Sequence, residues 1–297
     1  MRLSDVSMTA IGTLRCRAIE AAKENPLITD AMAGYCLERL RALASEEEKA
    51  LLFDRKLSRS LSSHIALRAR KYDAVANGFI SGNPGSLVVN LGCGFDTRYW
   101  RIDHEECEYV ELDLPGVIEL KREILKGRLD YEMMGASVLD HSWIDRVNPG
   151  GNKRALLLAE GLFMYLPKAE VVSLFGAISR KFRDSRMVFE VVTEQYTRGI
   201  WKRLVAMKVK RELGLDAGSS YDFGIRNARE VESYGEGLKV SGEWSYMEDP
   251  DVRPKVLKYL GLSRTQWTVT VGVNEQAWCH KNRGDLDCRG TGRTEDR

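Results

Sequence analysis

What this sequence lacks narrows its class before any motif is read. No apolar run approaches the roughly 20 residues that span a bilayer, so no membrane partner is expected. The six cysteines, Cys16, Cys36, Cys93, Cys107, Cys279 and Cys288, are scattered with no CxxC pair, and no secretory leader is expected. That distribution predicts a reduced, cytoplasmic protein. Cys279, His280 and Cys288 have no second pair at zinc spacing, and no metal is expected. The four histidines, His64, His104, His141 and His280, belong to no assignable catalytic motif. Basic and acidic residues nearly balance, 45 against 43 for a net charge of +2, which gives no ground for a polyanionic partner such as nucleic acid. Internal repeats are absent. At 297 residues the chain exceeds the usual single-domain size, yet doubly wound α/β proteins often stay one domain at this length.

The informative stretch is Ser86 to Arg98, SLVVNLGCGFDTR. Leu87, Val88, Val89 and Leu91 form a short apolar run with β-branched members, bounded by Asn83-Pro84-Gly85 before and Gly92-Cys93-Gly94 after. This reads as a buried central strand ending in a glycine turn. Such a turn lets backbone approach a ligand without Cβ interference, at the strand end where open α/β sheets place their ligands. Asp113 closes a second strand, Glu108 to Asp113, about 20 residues on. A carboxylate there accepts hydrogen bonds from the ribose hydroxyls of an adenosine. Thr97 and Arg98 stand where a dinucleotide binder needs its third glycine, which speaks against a nicotinamide cofactor.

Around that stretch the chain alternates. Helices are expected over 7–24, from an Asp30 N-cap to about 44, and over about 57–80. After Asp113 come a helix starting at Pro115, a third strand over 131–138, a short helix with Trp143, and the buried strand Ala155 to Ala159 running into Glu160-Gly161. A helix over 168–182 and a fifth strand over 187–192, containing Glu190, complete a βαβ rhythm that implies a mainly parallel sheet. Between 193 and 243 the rhythm breaks into a basic helix and a glycine-rich aromatic stretch, and Trp267 to Val273 is the last strand expected. The bases Arg198, Lys202, Arg203, Lys208, Lys210 and Arg211 fit a solvated helix face, since no stacking aromatics interleave them.

In order, VVNLGCGFDTR (88–98), VELDLPGVIELK (110–121), ASVLDHSWID (136–145) and LLLAEGLFMYLP (156–167) make the chain similar to the leucine carboxyl methyltransferase-like enzymes, including bacterial polyketide O-methyltransferases. Weaker matches lie at 17–20, 67–73 and 221–235. The resemblance implies a class I methyltransferase sheet of Rossmann-like α/β type, mainly parallel with the last strand antiparallel. Residues 1–80 would form a helical N-terminal lid or substrate region, 81–274 the S-adenosylmethionine-binding core with a lid insertion at 193–245, and 275–297 a disordered tail. It also implies S-adenosylmethionine as cofactor and a small-molecule acceptor, with methyl ester formation on a carboxylate expected before methylation of a hydroxyl. The alternatives are a protein C-terminal carboxyl methyltransferase and a catalytically silent cofactor-binding module. The [N/D]PP[Y/F] signature of base amino-methylating enzymes is absent.

Carried onto this chain, the family pattern places Gly92, Gly94, Asp113 and Leu114 at the cofactor. Ser137 and Val138 occupy the position of an adenine-contacting Asp-Leu pair, a departure that leaves the polar adenine contact to Ser137 or to Asp140. Glu160 would bind the methionine ammonium. Arg68 would pair with the methionine carboxylate, with Arg70 as competitor two positions away on another helical face. No residue is assigned to chemistry. Arg15, Arg17 and Tyr165 are candidates for positioning the acceptor, the two arginines competing with a solvated-helix reading and Tyr165 with packing against the sheet.

Overall fold

Side-chain alternation along one central strand separates the two sides of the molecule. In the computed structural model, which describes residues 5–213, 221–253, 255 and 265–275, three helices and a connecting α4 precede the sheet: α1 (Asp5–Ala21), α2 (Ala31–Leu43), the one-turn α3 (Glu46–Glu48) and α4 (Arg59–Gly82). Then follow β1 (Ser86–Leu91), β2 (Cys107–Asp113), α5 (Pro115–Ile124), β3 (Glu132–Gly135), α6 (Ser142–Val147), β4 (Ala155–Ala159), α7 (Lys168–Lys181), β5 (Ser185–Val192), α8 (Gly199–Leu213), β6 (Leu238–Trp244) and β7 (Gln266–Val273). Leu87, Val89 and Leu91 of β1 pack with Trp143 of α6 and Leu174, Phe175 and Ile178 of α7. Val88 faces the opposite way, onto Tyr72, Ala76 and Phe79 of α4. A parallel strand covered on both faces reads as a continuous apolar run, which is why β1 and β4 were legible without alternation in polarity.

The seven strands lie in the order β3-β2-β1-β4-β5-β7-β6. Strands β1 to β5 pair in parallel, and β7 runs antiparallel to both β5 and β6. The chain leaves β1 toward β2 and β3, then returns to the other side for β4 and β5. The crevice between the carboxyl ends of β1 and β4 is therefore the switch point at which such sheets bind ligands. No described helix is long and apolar enough to cross a membrane.

Two strands differ from the sequence expectation. The stretch 193–245 contains an edge strand, β6, whose alternation is weakened by an irregularity between Val240 and Gly242. The third strand is Glu132–Gly135 rather than 131–138, because the chain turns away where Gly135 passes Pro115. Most of the tail expected to begin at residue 275 lies outside the described residues, as do Cys279, His280 and Cys288. Asp30 is the N-cap of α2, accepting from Ala33 N at 3.0 Å.

Within the α5 layer, Lys121 is fully buried and reaches Glu111 Oε2 at 2.7 Å and the Asp96 carbonyl at 2.6 Å. Tyr109 and Tyr131 donate to the same Glu111 carboxylate, each at 3.3 Å. Lys121→Met strands the buried Glu111 charge, and urea unfolding should show a loss of about 3–5 kcal/mol. Adding Glu111→Leu should return part of that loss, since the double variant no longer buries a lone charge.

Candidate functional site

The carboxyl ends of β1, β2 and β4 converge on one cavity of about 690 Å³. Its first end is built by the glycine turn. Gly92 and Gly94 have φ of +62° and +51°, a region that favours glycine, and a Cβ on Gly94 would lie 2.6 Å from the Ala10 Cβ of α1. The turn thus runs directly beneath the N-terminal helix. Asp113 sits opposite: its Oδ2 accepts from Gly94 N at 2.7 Å and its Oδ1 from Leu114 N at 2.7 Å. Each oxygen keeps a second lone pair for a ligand hydroxyl. Burial pushes the Asp113 carboxyl up, and the two backbone donors oppose that. Leu114, Ser137 and Val138 line the same end.

Farther in lies a network of buried charge. Arg68 of α4 donates from Nε to Glu160 Oε1 at 2.8 Å and from Nη1 to Glu190 Oε2 at 2.6 Å. Its Nη2 makes no hydrogen bond among the described residues. Glu190, itself buried, is held on its other oxygen by Gln266 of β7 at 2.8 Å. Arg98, fully buried, bonds Glu160, Asp96 and, at 2.9 Å, Asp73. Arg101 reaches Asp73 at 2.7 Å and Asp30 at 2.8 Å. Burial alone would raise the Glu160 pKa; Arg68 and Arg98 outweigh it and hold the carboxyl below its ordinary range. At Glu190 burial wins, and its pKa is raised.

The residues singled out from sequence separate cleanly. Gly92, Gly94, Asp113, Leu114, Ser137, Val138, Arg68, Glu160, Arg17 and Tyr165 all line the cavity. Asp140 does not: it is exposed and its carboxylate accepts from Ser142 N at 3.2 Å, whereas Ser137 is part of the cavity wall. Arg70 points away, 37% exposed, and pairs with Asp249 and Asp251 at 2.9 Å each. Neither Arg15 nor Arg17 sits on a solvated face. Arg15 donates to the carbonyls of Leu52 and Arg55, at 2.8 and 2.6 Å, and Arg17 to Asp30 and the Phe95 carbonyl, at 3.1 and 2.9 Å. Sequence reading missed Arg98, Asp96 and Glu190 as site-building groups. Their signal was a charged residue inside a strand and a charged run directly after a glycine turn.

A model of the leucine carboxyl methyltransferase family matches residues 10–179. The chain is 32% identical over 265 residues to the tetracenomycin polyketide synthesis O-methyltransferase TcmP of Streptomyces glaucescens, covering 88% of this chain and 91% of that protein. It is 29% identical over 244 residues to the S-adenosyl-L-methionine-dependent methyltransferase dpfgK of Gibberella zeae, covering 80% and 81%. Among solved structures, a Thermobifida fusca protein described as a candidate methyltransferase superposes with a TM-score of 0.55 at 14% identity, covering 91% and 94%. That likeness concerns the fold.

Two outcomes follow from this geometry. Gly94→Ala forces both an unfavourable φ and a clash with α1, so it should cost about 1–3 kcal/mol and speed amide hydrogen exchange in α1. Glu160→Gln should cost about 3 kcal/mol at pH 7 by leaving Arg68 and Arg98 underpaired. Because the folded-state pKa of Glu160 is depressed, its contribution is present above the unfolded-state value of about 4.3 and lost as pH falls through the folded value. The gap between variant and wild type should therefore close on acidification in a pH series of urea melts.

Proposed function

This chain belongs to the leucine carboxyl methyltransferase family, and from that premise we propose that it is an S-adenosylmethionine-dependent O-methyltransferase acting on a small aromatic molecule of polyketide type. The single observation that carries the reading is the pairing of Asp113, set by backbone donors of the glycine turn, with the Arg68–Glu160 couple deeper in one cavity.

The residues present fit the cofactor. Gly92 and Gly94 bring a tightly turned backbone to the cavity wall, Asp113 offers two acceptors to a ribose, and Ser137 and Val138 line the end suited to adenine. Arg68 retains Nη2 for a carboxylate, and Glu160 retains lone pairs for an ammonium. The Arg68–Glu160 pair is thus a stand-in for the zwitterion that would divide it. When bound there, the cofactor supplies a methyl group already activated on a sulfonium. What the protein contributes is position and exclusion of water. Residues 1–80 act as the N-terminal lid in this reading: α1 brings Ser7, Thr9, Ala10, Gly12, Thr13 and Cys16 to the cavity wall. The core spans 81–274, and the stretch 193–245 contributes acceptor-side walls through Tyr196, Val205 and Tyr221.

Calorimetric titration should give micromolar binding of S-adenosylmethionine and S-adenosylhomocysteine and none of NADH. Asp113→Ala and Glu160→Ala should each weaken that binding about 10- to 100-fold, the loss expected for a hydrogen bond to a charged group. Unchanged affinity in both variants would overturn the assignment. A methyl label confined to small molecules, with none on a protein band, separates this reading from protein carboxyl methylation.

A further inference from the structure

Glu190 is a buried carboxylate that does not itself line the cavity. It lies in the interior of β5, opposite Thr268 of β7. Strand alternation puts it on the same face as Val188, which packs with Tyr72 of α4. Its sequence neighbours Phe189 and Val191 turn to the other face and join the α7 layer. A carboxylate inside so apolar a strand is costly unless it is paired. Arg68, one helical turn before Tyr72 on α4, supplies the pair, donating from Nη1 to Oε2 at 2.6 Å. Gln266 donates to the other oxygen, Oε1, at 2.8 Å, so the carboxylate is held at both ends.

Resting on the methyltransferase reading above, we propose that Glu190, anchored by Gln266, is a positioning residue that aims Arg68 at the carboxylate of the cofactor's methionine end, and so makes the site selective for a cofactor that carries that carboxylate. A guanidinium is planar, and the directions of its N–H groups are fixed once two of its nitrogens are engaged. In Arg68 the engaged atoms are Nε, on Glu160 at 2.8 Å, and Nη1, on Glu190 at 2.6 Å. Nη2 is the nitrogen left for a ligand, and its direction follows from the other two. Gly161 confines the group from one side: a Cβ there would stand 3.5 Å from Nη1 and 3.6 Å from Nη2. The two anchors differ in what a ligand does to them. Glu160 lines the cavity and is the acceptor open to the ammonium, so its hold on Nε is shared once the zwitterion is bound. Glu190 does not reach the cavity wall, and its hold on Nη1 persists. Without Glu190, Arg68 would be steered only by the carboxylate that must also receive the ammonium.

The test titrates the full chain calorimetrically with S-adenosylhomocysteine and with decarboxylated S-adenosylhomocysteine, which keeps the nucleoside and the ammonium and lacks the carboxylate. Wild-type protein should prefer the first ligand by about 10- to 100-fold, as a charge-assisted contact to the carboxylate requires. Glu190→Met, which keeps the side-chain length and removes both oxygens, should bind the two ligands within about threefold of each other, with its affinity for the decarboxylated ligand close to that of wild type. Glu190→Gln, which retains an acceptor for Nη1, should keep most of the wild-type preference. Should Glu190→Met not fold, Gln266→Met carries the test: it leaves the Glu190 charge, removes its second anchor, and should cut the preference about 3- to 10-fold. A wild-type chain without the preference, a preference that survives in the folded Met variant, equal weakening of both ligands, or a Gln variant no better than the Met variant overturns the proposal while leaving the cofactor assignment intact. Failure of the wild-type chain to bind S-adenosylhomocysteine would instead remove the methyltransferase reading itself.

Discussion

Buried charge must be paired, and the centre of this protein is organised by that requirement. Arg17, Arg68, Arg98 and Arg101 meet Asp30, Asp73, Asp96, Glu160 and Glu190 in one continuous network. Its members come from α1, the cap of α2, α4, the loop after β1, the end of β4 and the middle of β5. No element of the site is placed by its own packing alone. The apolar layers fix where the sheet and helices lie, and the arginines fix how the loops at the strand ends close over the cavity. Substituting one carboxylate is therefore felt at several elements at once, and such losses are non-additive between neighbours.

The network also explains the division of labour within the cavity. Guanidinium groups present a planar fork that holds two carboxylates at once, and Arg68 shows this directly, with Glu160 on Nε and Glu190 on Nη1. Glu190 faces away from the cavity lining and Glu160 toward it. Elsewhere the cavity wall includes four tyrosines and two methionines, Tyr165, Tyr196, Tyr221, Tyr246, Met164 and Met247, beside polar groups such as His64, Thr265 and Gln266.

Much of this arrangement was legible in the sequence because it depends on local pattern. The run Leu87 to Leu91 with flanking glycines, and Asp113 at the end of the next strand, announce a strand end with a ligand. Asp30 as a cap, Pro115 at a first turn and the stripe of α7 behave as residue types dictate. What was not legible depends on distance across the fold. Whether Arg68 or Arg70 turns inward is a question of helix rotation against β4 and β5, and Asp249 and Asp251, some 180 residues later, settle where Arg70 goes. Arg15 and Arg17 looked like a solvated pair because three of their partners, the carbonyls of Leu52, Arg55 and Phe95, are backbone atoms that carry no signature in composition, and the fourth, the Asp30 carboxylate on Arg17, reads in the sequence as a helix cap. The edge strand β6 hid behind its irregularity at Val240 to Gly242.

The placement of β7 between β5 and β6 bears on the order in which the molecule is finished. Among the described residues, β6 has β7 as its one neighbouring strand, and Gln266, which bonds Glu190, lies on β7. During synthesis, where chains begin to fold as they emerge, strands β1 to β5 are able to assemble while the anchor behind Arg68 is still untranslated. A nascent chain would therefore be able to hold five paired strands before the residue that secures Glu190, and through it Arg68, has been made.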